Sequence, residues 1–341
     1  YERWSPGFCA TSGIGYAPKN SRFFMEYCHN QGIDQKILLE LGLLKENESA
    51  SSYQLFRRRI VIPIKDRYGR VIAFTARYIG DSPSAPKYIN SSTSDVYTKG
   101  TALFGIDRAA KAREAGNIII VEGAPDVLRL QSVGLDNAVA SLGTAWTDVQ
   151  FSKLWRITSS ICFIPDSDVS EGRLFGPGFE AVMRNGTAAM KKGFVVTVRE
   201  LPFTEVPVTY EDIKELYPDS NKVPKDFVKV KPGKNDPDSY ISSKEDYTAL
   251  TEKYFVVWLA EKRFFEADSL VKERQAVSEI ADLLRYIDDP LVLDQCIDQL
   301  NKIHGRTKFW KDAVSQARGE AKRQKNSESS LDERQREVED L

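Results

Sequence analysis

The sequence is poor in metal-binding soft ligands. Its 341 residues contain 4 cysteines and 2 histidines. Cys9, Cys28, Cys162 and Cys296 are scattered and make no CxxC pair. A structural zinc site needs four Cys or His ligands clustered at hairpin spacing. The pattern therefore holds no zinc ribbon and predicts buried or idle free thiols in a reducing cytoplasm. Cys28 and His29 are adjacent, but residues 23–32 read as a helix, in which sequence neighbours point in different directions. That argues against a nucleophile and base acting together there. Excess charge is also lacking: 48 Lys+Arg against 49 Asp+Glu leave a formal net charge of -1. A wholly basic nucleic-acid coat is excluded, though a local basic patch is not. No apolar run approaches the roughly 18 residues of a membrane-spanning helix; the longest candidate, Tyr254 to Ala260, is far too short. The chain opens on Tyr1 with no charged-then-apolar leader, and reads as an internal or trimmed segment without a signal peptide.

What is present is the balance of a globular protein, 41% hydrophobic and 28% charged, sufficient for a sizeable core and for two or three domains. Residues 20–43 carry helical signals. The period then changes: Arg59–Ile64 and Val71–Arg77 are β-rich, joined by a hairpin turn whose glycine, Gly69, comes late. Further strands are predicted at 117–121, 137–141, 160–164 and 194–198, with helices at 127–133 and 178–192. Strands alternating with helices imply a parallel sheet. Residues 203–233 have no sustained period and read as an insertion. From 243 to 321 the pattern is helical, and the charge-dense end reads as a frayed helix or tail.

In a parallel α/β sheet, ligands bind beyond the carboxyl ends of strands. Those positions are acidic here. Glu122-Gly123 follows the first strand and Asp126 comes soon after; Asp166-Ser167-Asp168 follows the third; Asp236-Pro237-Asp238 follows the insertion. Crowded carboxylates raise one another's pKa, and divalent cations remove that cost. Mg²⁺ prefers carboxylate, water and phosphate oxygens, and paired ions suit in-line phosphoryl or nucleotidyl transfer. Each Asp-x-Asp alone is as readily a turn or cap, and Asp126 equally suits capping of a helix that starts near Val127.

The opposite charge is segregated upstream. Between residues 51 and 114 there are 12 Lys or Arg and 5 Asp or Glu, a local net of +7 in a chain whose total is -1. A basic domain beside an acidic metal rim suits a polyanion lying across both. Tyr68, Tyr78, Tyr88 and Tyr97 lie among these charges, as stacking on single-stranded bases would need.

The strand–Glu122-Gly123-x-x-Asp126 pattern followed by Asp166-x-Asp168 resembles the Toprim fold of DnaG-type primases, topoisomerases and some nucleases. The flanks favour the primases. Phe56 to Arg77 is similar to the basic hairpin before the Toprim domain in bacterial and phage primases. Pro86-Lys87-Tyr88-Ile89-Asn90-Ser91 resembles that family's PKYLNS motif, and Lys99-Gly100 through Leu103-Phe104-Gly105 its KGxxLYG motif. Gly13 to Pro18, Ala140 to Ala145 and Asp236-Pro237-Asp238 also match.

The resemblance implies a DNA-dependent RNA polymerase that starts short primers de novo on single-stranded DNA, in the cytoplasm. Glu122 would be the central metal ligand or proton acceptor. Asp166 and Asp168 would hold Mg²⁺ or Mn²⁺ on the nucleoside triphosphate, and Asp126, Asp236 and Asp238 would complete the shell. Arg57, Arg59, Arg77, Lys87, Tyr88, Asn90 and Lys99 would grip triphosphate or template, and Gly143 would shape a loop near the site. Template, NTPs and an RNA–DNA hybrid are the implied partners, with a replicative helicase reached through a module this chain lacks; no membrane is implied. The implied fold is mixed α/β and α+β: a basic α/β subdomain (1–115), a Toprim parallel-sheet subdomain (116–242, insertion about 203–233), a helical subdomain (243–320) and a charged tail (321–341). The chain departs from the family in having no zinc-ribbon cysteines, Ala124-Pro125 where Tyr-Met is frequent, Ser167 where Gly is usual, and a longer insertion. Two rival readings stand beside the primase: a Toprim nuclease or topoisomerase-like cleaver, and a non-catalytic single-strand-binding replication or mobilisation factor.

Overall fold

A computed structural model describes residues 4–20, 22–47, 52–80, 82, 84–111, 113–143, 145–167, 176–202, 204–207, 230–233, 235–305, 309–316 and 318–319. The N-terminal part contains α1 (Pro6–Ser12), β1 (Gly15–Ala17), α2 (Arg22–Asn30), α3 (Gln35–Glu40), β2 (Leu44–Glu46), β3 (Ser52–Gln54), β4 (Arg59–Lys65), β5 (Val71–Tyr78), β6 (Tyr88–Asn90) and α4 (Ile106–Ala109). The middle contains β7 (Ile118–Val121), α5 (Ala124–Ser132), β8 (Ala138–Ala140), α6 (Asp148–Trp155), β9 (Ser160–Phe163), α7 (Pro177–Lys191), β10 (Val195–Arg199), β11 (Thr204–Pro207), β12 (Val230–Gly233) and α8 (Pro237–Tyr240). Then come α9 (Lys244–Ala249), β13 (Glu252–Tyr254), α10 (Phe255–Glu266), α11 (Leu270–Leu284) and α12 (Pro290–His304). Among the described residues, no helix is long and apolar enough to cross a membrane.

Two sheets organise the molecule. The first is antiparallel, in the order β1-β4-β5-β6. Its β4–β5 hairpin is the predicted one. Gly69 closes the turn at φ +86°, a left-handed value that glycine reaches without steric cost. The second sheet runs β13-β10-β9-β7-β8, with β10, β9, β7 and β8 parallel. Its edge differs from expectation. Residues 252–254, predicted to be helical, form β13 and pair antiparallel with β10. Three residues are too few to display a period, and the apolar stretch behind them belongs to the buried start of α10. The ends of the predicted insertion form the antiparallel ribbon β11–β12; residues 208–229 and the tail at 320–341 lie outside the described residues.

Strand β7 is buried on both faces, as its unbroken Ile-Ile-Ile-Val run predicts. Ile118 and Ile120 enter one core with Phe151, Leu154, Phe179 and Trp258. Ile119 and Val121 enter the other, with Ile60, Ile62 and Ile64 of β4 and Val127 of α5. Each such side chain contributes roughly 1.5–3 kcal/mol by leaving water. The second core is therefore shared between the basic hairpin and the parallel sheet, and it fixes one against the other. A further joint is the Lys99-to-Gly105 segment. Phe104 bridges to Ala140, while the carbonyls of Gly100 and Ala102 accept from Thr147 Oγ1 (2.7 Å) and Gln150 Nε2 (2.8 Å).

Helix α10 packs so close to α7 that a Cβ on Gly186 would lie 2.5 Å from the Phe255 ring. Alanine in a helix interior normally gains about 1 kcal/mol over glycine. At Gly186 overpacking costs about 1–3 kcal/mol, so Gly186→Ala is expected to lower the urea midpoint. An unchanged or raised midpoint would refute the close packing of α7 on α10.

Candidate active site

The three acidic segments converge because of identifiable local geometry. Glu122 is exposed directly beyond β7, at the carboxyl edge of the sheet. Helix α5 starts at Ala124, earlier than the predicted Val127, because Pro125 suits a first helical turn and Gly123 occupies the cap. Asp126 thus stands in the third helical position. Its Oδ2 accepts from the Gly123 N–H at 3.0 Å, and its Oδ1 from the Asp238 N–H at 3.3 Å. One buried carboxyl thereby clasps the glutamate turn to the segment beginning α8. Asp238 is 4% exposed, and Arg129 Nε lies 3.5 Å from its Oδ1 and donates to its carbonyl at 3.1 Å.

Asp166 and Asp236 are brought together by their neighbours. Ser167 and Asn235 form an antiparallel bridge with N···O distances of 2.9 and 3.3 Å. The Asn235 side chain also donates to the Pro202 carbonyl at 2.7 Å. Asp236 caps α8, its Oδ1 accepting from Ser239 N–H at 2.8 Å. Asp168 lies outside the described residues.

Glu122, Asp126, Asp166, Asp236 and Asp238 all line one cavity of about 320 Å³, together with Arg77, Lys87 and Tyr88 of the basic subdomain. Burial, followed by the Asp166 and Asp236 carboxylates, pushes Asp126 well above the usual carboxylate range. Among the described residues, no group of three or more His, Cys, Asp or Glu side chains is arranged to hold a metal ion by itself. An open rim of hard oxygens facing two cations fits Mg²⁺ or Mn²⁺, which keep waters and phosphate oxygens in several positions. The donor set thus suits a divalent ion shared with a phosphorylated ligand.

The other predicted residues divide. Tyr88 and Asn90 alternate along β6 onto one face, opposite Arg77 and Thr75 of β5, but only Tyr88 reaches the acidic cavity. Gly143 lines an adjoining cavity of about 230 Å³ that also touches Glu122. Arg59 does not line the acidic cavity. It is 6% exposed and donates to the carbonyls of Ala76 (3.3 Å) and Pro86 (2.9 Å). It braces the turn that carries Lys87, a positioning task set by its burial between strands. Arg57 lies over the Tyr53 ring, and neither it nor Lys99 lines the acidic cavity. Lys99 precedes Gly100 at the joint between subdomains. Of the tyrosines, Tyr97 is core at 2% exposure, Tyr78 lies beneath Arg58 and Arg59, and Tyr68 is exposed at the hairpin turn.

One contributor was not singled out in the sequence. A Cβ on Gly178, in the first turn of α7, would meet the Asp166 carbonyl at 2.7 Å and Glu122 Oε1 at 3.0 Å. The glycine lets a 15-residue helix bring its N-terminus, with no side-chain cap, against the acidic rim. That end carries positive partial charge and favours carboxylates and phosphates. A proline-glycine pair at a predicted helix start was the available signal. Gly178→Ala should displace Glu122 and Asp166. We expect at least a tenfold loss in Mn²⁺ affinity by electron paramagnetic resonance, with the circular dichroism spectrum retained. Unchanged affinity would separate Gly178 from the site.

Residues 4–110 match the family described as DNA primase catalytic core, N-terminal domain, and residues 119–217 match the Toprim-like family. The chain is 38% identical over 175 residues to the DNA primase of Pseudomonas putida, covering 51% of this chain and 26% of that protein. It is 34% identical over 201 residues to the DNA primase of Staphylococcus aureus strain COL, covering 58% and 32%. The match thus spans about a quarter to a third of the length of these curated relatives. A crystal structure of a DNA primase domain from Pseudomonas aeruginosa superposes with a TM-score of 0.66 and 26% identity, covering 92% of this chain and 89% of that one. With the basic hairpin, the parallel sheet and the acidic edge arranged in this way, the chain joins a segment of the DNA primase catalytic core N-terminal family to a segment of the Toprim-like family, on the fold of a primase catalytic domain.

Proposed function

We propose that this chain is the polymerase core of a primase, making short RNA primers de novo on single-stranded DNA from NTPs. The observation that carries the reading is the single cavity in which five carboxylates from three chain segments face Arg77 and Lys87. The working division keeps a basic subdomain at 1–115, a Toprim subdomain at 116–242 and a helical one at 243–320. Glu122, Asp166, Asp236 and Asp238 would hold Mg²⁺ or Mn²⁺. A bound divalent ion supplies charge neutralisation for the triphosphate and a more acidic attacking hydroxyl.

The protein's own groups do the rest. Arg77 and Lys87 draw the triphosphate toward the acidic edge, Arg as a planar fork and Lys as a point charge. Glu122 is exposed and accepts the proton of the attacking 3′-hydroxyl. Asp126 holds the Gly123 turn against α8 and keeps the two acidic segments in register. Orientation of this kind removes entropy from the barrier before reaction. Template and RNA–DNA hybrid lie along the basic face, and a replicative helicase engages through another module. A cleaving enzyme is less well supported, because the cationic wall belongs to the region that matches the primase N-terminal domain.

The test combines single-stranded template, labelled NTPs and Mg²⁺ or Mn²⁺, with products resolved on a gel. Short oligoribonucleotides are expected, lost by at least about a hundredfold in Glu122→Gln and Asp166→Asn, the scale of a lost proton acceptor or electrostatic stabiliser. Template shortening instead would establish a nuclease, and binding without either product a non-catalytic factor. Lys87→Ala should raise the KM for NTPs about tenfold or more while Mn²⁺ affinity persists. An unchanged KM would remove Lys87 from the triphosphate site.

A further inference from the structure

A third cavity, of about 230 Å³, lies at the other end of the basic hairpin, between its turn, α4 and the last turn of α6. Arg77 of the acidic cavity and Ile72 of this one are both on β5, five residues apart, which is about 17 Å along a strand. The two are separate sites. The floor is aliphatic, formed by Ile72, Leu103, Ile106 and Ile157 with Ala102 and Ala110. The rim carries Lys65, Arg67, Arg113, Lys153 and Arg156, contributed by the hairpin, the turn after α4 and α6. None of these five is paired with a carboxylate among the described residues.

Asp66 is the lone acid in the lining among the described residues, and it is already engaged. Arg70 lies 2.6 Å from its Oδ2, and the Tyr68 and Arg70 N–H groups donate to Oδ1. Two of the cations also hold the end of α6 and its neighbour in place. Lys153 Nζ donates to the Thr101 carbonyl, and Arg113 to the Arg156 carbonyl at 3.3 Å. Lys65, Arg67 and Arg156 surround an apolar opening with no anion assigned to them.

The lining contains no aromatic ring, so it lacks the platform on which single-stranded bases stack. Its cations come from three elements around one opening, which suits several negative charges spaced along a chain. We propose that this cavity docks an acidic peptide segment of a partner protein, which inserts one bulky aliphatic side chain among Ile72, Leu103 and Ile157. The buried apolar anchor holds the peptide, and the charges steer it and fix its direction.

The test uses a fluorescein-labelled poly-aspartate peptide ending in leucine, read by fluorescence anisotropy on the full chain. Saturable binding is expected, weakened about tenfold or more when the terminal leucine is replaced by alanine. The double variant Arg67→Glu, Arg156→Glu should abolish binding, and Ala110→Phe, which fills the floor, should weaken it at least tenfold. Both variants should keep primer synthesis and the circular dichroism spectrum of the parent. Equal affinity for the alanine-ended peptide would reduce the site to non-specific charge and overturn the proposal. So would an oligothymidylate that displaces the peptide and is itself lost from the double variant, which would mark a nucleic-acid surface.

Discussion

The structure depends on carboxylates held closer together than they would choose. Burial first, and then the Asp166 and Asp236 carboxylates beside it, hold Asp126 well above the usual carboxylate range. The fold sustains the arrangement by three local means. Asp126 on α5 is buried, and both its oxygens accept backbone N–H groups. Asp238 is matched by Arg129. The N-terminus of α7 comes up to Glu122 because Gly178 has no side chain. The exposed part of the rim is at Glu122, where a divalent ion and a phosphorylated substrate would be brought together.

Charge complementarity across the cleft is enforced by apolar packing. Ile60, Ile62 and Ile64 of the basic hairpin share a core with Ile119 and Val121 of the parallel sheet and Val127 of α5. The same strand whose end carries Glu122 therefore anchors the sheet that carries Arg77, Lys87 and Tyr88. Arg59 extends this logic, since its guanidinium is spent on the Ala76 and Pro86 carbonyls and leaves the next residue, Lys87, on a braced turn. The Lys99–Gly105 joint acts at a second point. A Cβ at Gly105, whose φ is +84°, would stand 2.4 Å from the Ala138 carbonyl, so the two subdomains meet backbone to backbone there.

The sequence revealed the parts that rest on long patterns. The Ile118–Val121 run, the Arg59–Lys65 and Val71–Tyr78 hairpin and the acidic residues after strands were legible because period, burial and strand-end chemistry are local. The short strand at 252–254 was not, since three residues carry no period and its pairing with β10 is a tertiary choice. The start of α5 lies earlier than Val127 because Asp126, a residue type that suits a cap, stands instead in the third helical position behind Gly123. Charge type alone could not separate Arg59, a buried brace, from Arg77, which faces the cleft. Strand alternation separates them only once the register Arg59↔Tyr78 and Ile60↔Arg77 is fixed. The Ser167–Asn235 bridge joins residues 68 apart through their backbones, and no composition signal announces such a contact.

The hairpin is a lever with different chemistry at its two ends. Near Arg77 and Lys87, cations face a cluster of carboxylates across one cavity. Near Lys65 and Arg67, cations ring an aliphatic hollow whose lone acid is held by Arg70. Both ends belong to the same β4–β5 pair, packed on the parallel sheet through the shared core. A net charge of -1 over the whole chain conceals this division. The charges that matter are the local ones, sorted by which side of the hydrophobic core each strand end emerges on.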